Sequence, residues 1–265
     1  MAVPTQFAAD LAYDQLGSTG PAVVFIHGLG SSRQAFESVR RLLPDARTYA
    51  VDLPGHGNSP APLASVVTPA ELADSVGGWL DGLGLTQVHM VGNSLGGWVA
   101  LELAAAGRAA SVVGLCPAGL WAGYTRRSPI MTANRTLARA TRKQLPALLG
   151  NRLVRRISFA TAVERFDLLT PEIAIAAGYA QADAEGFEAC NDGMLHRRFE
   201  GAESINVPTT IVFGDRDRLL PKPHNQVREL APVHARWEVI YRCGHAPMWD
   251  APARTAQLIR ETGGW

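Results

Sequence analysis

Gly92-Asn93-Ser94-Leu95-Gly96 is the stretch on which the reading of this chain turns. The five residues read Gly-x-Ser-x-Gly. They follow the apolar run Gln87-Val88-His89-Met90-Val91, which reads as a strand. They precede Gly97-Trp98-Val99-Ala100-Leu101-Glu102-Leu103-Ala104, which reads as a helix. In that strand–turn–helix context the motif works as a nucleophile elbow. The turn is so tight that its serine sits strained at the apex. Side chains at the flanking glycine positions would collide with neighbouring backbone. The Ser94 hydroxyl is then presented above a sheet, with the helix N-terminus beneath it.

Working outward, short β-branched and aromatic runs recur on both sides of the elbow. Val23-Val24-Phe25-Ile26 ends in His27-Gly28-Leu29-Gly30, and Arg47-Thr48-Tyr49-Ala50-Val51 ends in Asp52-Leu53-Pro54-Gly55-His56-Gly57. Ser111 to Cys116, Thr209 to Phe213 and Trp237 to Tyr241 follow. Helical patterns lie between most of them: Arg33 to Leu43, Pro69 to Leu83, Leu95 to Ala106, Pro223 to Leu230 and Pro252 to Glu261. Continuous apolar strands alternating with helices predict an α/β fold with a mostly parallel, doubly wound sheet covered on both faces. Phe7 to Leu16 is expected to add one or two antiparallel edge strands.

The alternation breaks between about Trp121 and Ile205, where helix formers dominate. Residues 122–205 are therefore expected to be a helical lid inserted into a core domain of residues 1–121 and 206–265. The insertion follows the strand ending at Cys116, at the sheet edge where open α/β sheets bind ligands.

The bulk composition is that of a globular chain: 265 residues, 47% apolar and 18% charged. A net charge of +1 gives no reason to expect nucleic acid. Cys116, Cys190 and Cys243 are odd in number and far apart, so neither a disulfide framework nor a zinc site is expected. No Lys or Arg precedes Arg33 and no apolar stretch is long enough to span a membrane, so the expected location is cytoplasmic.

A serine hydroxyl is a weak nucleophile. It needs a base, an acid to orient the base, and donors for the oxyanion. In elbows of this kind the partners follow in the order Ser, Asp or Glu, His. Gly214-Asp215-Arg216-Asp217 and Cys243-Gly244-His245-Ala246-Pro247 each follow a strand, downstream of Ser94 and in that order. Of the seven histidines, His245 alone has the order, the loop and the adjacent glycine. His27 and His56 precede these elements in Gly-rich loops and are read as shaping backbone, and His89 as a packed residue. Position alone leaves both Asp215 and Asp217 as the acid. The oxyanion donors are expected to be the backbone amides of Leu95, after the nucleophile, and Leu29, after the strand ending at Ile26. Trp98, Trp121 and Met194 are candidate substrate-binding residues, with Phe159 and Phe166 behind them. Core packing explains aromatics and Met at such positions equally well.

With these motifs together, the chain resembles the α/β-hydrolase family over nearly its full length outside the insertion. The resemblance rests on His27-Gly28-Leu29-Gly30, Asp52 to Ser59, Gly92 to Gly97, Gly214 to Asp217 and Gly244 to Pro247. It implies an α/β-hydrolase fold with an inserted cap. The family's Gly-x-x-Asp pattern implies Asp217 as the acid. Epoxide hydrolases and haloalkane dehalogenases of this fold use an aspartate nucleophile, and Ser94 departs from them. Meta-cleavage-product hydrolases usually carry Trp after the histidine and a Gly-Pro-Gly oxyanion loop, where this chain has Ala246 and Gly30-Ser31-Ser32. The resemblance therefore implies a serine hydrolase acting on a small-molecule carboxylic ester, thioester or lactone, with no metal and no organic cofactor. The alternatives are a carbon–carbon bond hydrolase or cofactor-free perhydrolase on the same triad, or a non-catalytic small-molecule receptor.

One charge feature lies outside this machinery. Nine of the 25 basic residues fall between Ala122 and Arg156, namely Arg126, Arg127, Arg135, Arg139, Arg142, Lys143, Arg152, Arg155 and Arg156, with no Asp or Glu among them. The stretch resembles the lid of pimeloyl-carrier methyl esterases, which dock an acidic acyl carrier through lid arginines. That resemblance implies an acidic carrier or anionic substrate at the lid.

Overall fold

The computed structural model describes residues 6–123 and 129–265. Arg126 and Arg127 lie outside them. In chain order the core contains β1 (Gln6–Ala8), β2 (Leu11–Leu16), β3 (Ala22–Ile26), α1 (Glu37–Arg40), β4 (Arg47–Val51), α2 (Pro69–Gly82), β5 (Val88–Asn93), α3 (Leu95–Ala105) and β6 (Ala109–Leu115). Five helices follow: α4 (Pro129–Ala140), α5 (Leu145–Gly150), α6 (Arg152–Ser158), α7 (Pro171–Asp183) and α8 (Phe187–Met194). The core resumes with β7 (Thr209–Gly214), β8 (Arg236–Ile240), α9 (Pro247–Asp250) and α10 (Pro252–Gly263).

The eight strands form one sheet in the order β1-β2-β4-β3-β5-β6-β7-β8. β1 and β2 pair antiparallel and β2 pairs antiparallel with β4, while every pairing from β4 to β8 is parallel. The chain moves from β3 outward to β4 and then returns to the other side of β3 as β5. Its strand order therefore reverses between β3 and β5. The crevice at the carboxyl ends of these two strands is where such sheets bind ligands, and it is flanked by the loop from His27 and by Ser94.

The central strands are buried on both faces. Trp79, Leu72 and Val76 of α2 and Trp98 of α3 pack on one side. Phe36, Leu258 and Ile259 pack with Phe25 on the other. α2 begins with a capping box in which Thr68 and Glu71 satisfy each other's backbone amides. Buried ion pairs tie the edge together: Arg33 donates to Asp14 and Asp52, and Arg40 donates to Asp14. Where α5 crosses α7, a side-chain carbon at Gly178 would lie 2.8 Å from the Leu149 Cδ1, so a larger residue there would make that leucine shift.

Two helical expectations are corrected. Arg33 to Leu43 is a 3₁₀ turn followed by the four-residue α1. Pro223 to Leu230 is not a helix; only Arg228–Leu230 forms a 3₁₀ turn. Pro221 and Pro223 supply no amide donors and bias the residues before them away from helical geometry.

Candidate active site

Ser94 joins β5 to α3 with φ 54° and ψ −118°, a left-handed conformation that a non-glycine residue holds only under strain. The glycines around it are required by contact. An added carbon at Gly92 would lie 2.0 Å from the Gly96 carbonyl oxygen. One at Gly96 would lie 2.1 Å from the Ile26 oxygen. At Gly28 it would meet the Ser94 Cβ at 3.1 Å, so the loop after β3 runs directly past the serine.

The loops after β7 and β8 bring Asp217 to His245. The His245 Nδ1–H donates to Asp217 Oδ2 at 2.8 Å. Asp217 Oδ1 accepts the amides of Leu219 and Leu220 at 2.9 and 2.8 Å. Burial alone would push this carboxyl up. The facing His245 and the two amides outweigh burial and hold it below its ordinary value. Asp215, the competing acid, accepts from the Cys243 amide at 3.2 Å and sits beside Arg216, so it braces its loop instead.

Ser94 and His245 line one cavity of about 440 Å³. Leu29, Ala118, Trp121, Met131, Met194, Leu195, Leu219 and Leu220 supply apolar walls, and Asn191, His224 and Asn225 add polar groups. The amides of Leu29 and Leu95 donate to no acceptor among the described residues. Ser94 caps α3, so the Leu95 amide belongs to the helix's unpaired first turn.

Trp121 and Met194 line the cavity, and Trp98 does not. One turn along α3 from Ser94, its indole packs edge-on against Trp121 at 5.4 Å and donates to Glu102 at 2.8 Å. The same ring lies under Gly119 and borders a separate polar cleft. Phe159 packs on Trp249, and Phe166 lies beneath Arg156.

Three residues of the site escaped the sequence reading. Asn93 donates through Nδ2 to the carbonyls of Leu115 and His245, both at 3.0 Å. Its place in the elbow was visible, but its partner was not. Asp250 accepts the amides of Gly244, Glu164 and Arg165, holding the His245 loop to the chain before α7. Asn191 is buried at 8% exposure and lines the cavity wall. No motif marks either of the last two.

Three of the other histidines, His27, His56 and His89, are accounted for by packing and hydrogen bonds. His27 donates to the Gly28 carbonyl and accepts the Leu53 amide. Burial depresses it to about 4. His56 donates to the Pro54 carbonyl and is depressed to about 3, chiefly by burial. Both stay neutral and hold their loops. His89 bonds Ser111 at 2.8 Å.

Cys116 Sγ, Asp217 and His245 offer three donor atoms within 4.8 Å of one another. Burial pushes the Cys116 thiol well above its ordinary value, so it is a neutral S–H, and the His245 nitrogen facing Asp217 carries a proton. A metal would need thiolate and an open nitrogen lone pair. The donor set instead suits proton transfer.

The cations between Ala122 and Arg156 are used unevenly. Arg135 pairs with Glu188 and lies over the Phe187 ring, while Arg142 pairs with Asp183 and lies over Tyr179. Arg155 donates to the carbonyls of Leu149, Gly150 and Leu169.

The profile of the family described as "Alpha/beta hydrolase family" matches residues 23–258. The chain is 33% identical over 209 residues to epoxide hydrolase EphH of Mycobacterium tuberculosis, covering 73% of this chain and 94% of that protein. A thermophilic esterase from Thermogutta terrifontis superposes with a TM-score of 0.69 at 26% identity, covering 95% of this chain and 92% of the esterase. A meta-cleavage product hydrolase from Pseudomonas fluorescens IP01 shares the fold, with a TM-score of 0.73 at 21% identity over 98% of this chain and 97% of its own.

Proposed function

We propose, from the premise that the chain belongs to the alpha/beta hydrolase family, that it cleaves carboxylic esters of small molecules through an acyl-enzyme on Ser94. The observation that carries this reading is the His245–Asp217 pair at 2.8 Å, facing the same cavity as a strained serine.

His245 Nε2 takes the Ser94 proton as Oγ attacks the acyl carbon, and Asp217 stabilises the imidazolium through Nδ1–H. The oxyanion is held by the amides of Leu29 and Leu95. His245 returns the proton to the leaving alcohol. Water then attacks the acyl-serine by the same route in reverse, releasing the acid and regenerating Ser94. The helices from α4 to α8 act as a lid over this cavity.

Ester chemistry is favoured over epoxide opening by the nucleophile itself. Attack of a serine oxygen on an epoxide carbon forms an ether, which water cannot cleave at an acyl carbon. Attack on an ester forms a new ester that can turn over. The relative named as an epoxide hydrolase therefore supports the family more than the reaction.

The test is nitrophenol release from p-nitrophenyl esters of increasing acyl length by the wild-type protein and by Ser94→Ala. The expected result is turnover by the first and none by the second. Equal rates in both would overturn the assignment of Ser94. A folded protein inert on every ester, yet stabilised against heat by one, would point to a receptor.

A further inference from the structure

The cation-rich stretch that the active site does not use coincides with an exposed apolar face. On α6, Leu153 is 65% exposed and Ile157 is 68% exposed. They stand at i and i+4, one above the other on the same helix face. Leu148, 37% exposed, lies just across the tight turn at Asn151. The helix is inverted relative to an ordinary surface helix, which turns apolar residues inward. Its charged Arg155 folds inward onto backbone carbonyls, while its Leu and Ile face outward.

Cations surround that face. Arg152 and Arg156 form the adjoining i, i+4 pair, and both are exposed. Lys143 and Arg139 lie on the preceding segments and are also exposed. Among the described residues, none of these four is paired with a carboxylate. Arg156 lies over the Phe166 ring. In the sequence no Asp or Glu occurs from Ala122 to Val163, so the segment itself carries only positive charge.

We propose that this face of α5 and α6 docks on an anionic lipid surface. Leu153, Ile157 and Leu148 enter the acyl boundary while Arg152, Arg156 and Lys143 meet the phosphates. A single exposed leucine would need no explanation. A stripe of large aliphatic side chains rimmed by unpaired cations has the composition of a helix lying in a membrane interface. An acidic protein would engage the cations and leave the aliphatic stripe without a role. A lipid surface uses both.

The experiment is co-sedimentation of the full chain with vesicles of phosphatidylcholine alone and of phosphatidylcholine mixed with phosphatidylglycerol. Binding is expected only to the mixed vesicles and is weakened by salt. Leu153→Ser with Ile157→Ser is expected to lower the partition by roughly tenfold or more. Arg152→Glu is expected to lower it by roughly fivefold or more. All three positions are exposed and remote from the cavity, so circular dichroism and hydrolysis of a soluble ester should stay at wild-type level. Absence of binding to anionic vesicles at low salt would overturn the proposal. So would wild-type binding by the aliphatic double variant, since attraction would then be purely electrostatic. The readout does not depend on Ser94, so its failure and failure of the ester reading are separable.

Discussion

Asn93 and His245, 152 residues apart in the chain, are joined by a 3.0 Å hydrogen bond from the Asn93 Nδ2 to the His245 carbonyl. The same nitrogen binds the Leu115 carbonyl. The residue before the nucleophile therefore fixes the backbone of the base. Asn93→Ala would leave the His245 carbonyl unpaired, while the Leu115 carbonyl keeps the Ser94 amide, a cost of about 1–3 kcal/mol. A lower urea midpoint is expected, with kcat reduced roughly tenfold or more and KM changed little. An unchanged kcat would show that the loop holds His245 without this bond.

Asp217 and Asp215 differ in what they face, so their amide variants should separate. Asp217→Asn loses the negative charge opposite His245 and disturbs the imidazole tautomer, and turnover should fall roughly a thousandfold or more. Asp215→Asn keeps an oxygen for the Cys243 amide and should change turnover by less than about fivefold. Steady-state kinetics on one soluble ester compares them directly.

Much of this was legible before any coordinates. Gly92, Gly96 and Gly28 are dictated by backbone collisions, so their spacing announces the turn. The order of Ser94, the Asp215–Asp217 loop and His245 follows from strands that alternate with helices, and the family pattern rather than position singles out Asp217. What sequence could not give was orientation around a helix buried almost all round. Every residue from Leu95 to Leu101 is buried, so α3 has no polar face to show which side meets the cavity. The pattern therefore leaves open whether Trp98 faces the cavity or the core. Asn191 and Asp250 were missed because a lone Asn or Asp carries no spacing signal. Their importance comes from contacts made across the fold.

The buried histidines make stability depend on pH. His27 and His56 are depressed to about 4 and about 3 in the fold, against roughly 6.5 in the unfolded chain. Between these values the unfolded chain binds protons that the fold refuses. Stability is therefore fully present above about pH 6.5 and falls as pH drops toward 4, with a slope of at most about 1.4 kcal/mol per pH unit for each histidine. His56→Asn retains a donor for the Pro54 carbonyl and removes one titrating group. Urea midpoints between pH 7 and pH 4 should fall less steeply in this variant.

Asn191 places a polar group on the wall of an otherwise largely apolar cavity. Asn191→Leu conserves size and replaces that polar group with an apolar one, so its Tm should equal or exceed that of the wild type. Differential scanning calorimetry checks this. A fall of several degrees would mean that the carboxamide has a structural partner, such as bound water, in solution.

Cavity shape gives the last contrast. Met194 lines the space beside Ser94, whereas Trp98 packs behind Trp121 and bonds Glu102. Met194→Ala deepens the cavity, so the p-nitrophenyl ester optimum should move to longer acyl chains. Shorter esters lose wall contact and should fall roughly tenfold in kcat/KM. Trp98→Phe removes the indole donor and part of a buried ring, so it should lower Tm while leaving the chain-length optimum in place. If Trp98→Phe moved the optimum and Met194→Ala did not, the acyl group would occupy the polar cleft beside Glu102, and the walls assigned to the substrate would have to be exchanged.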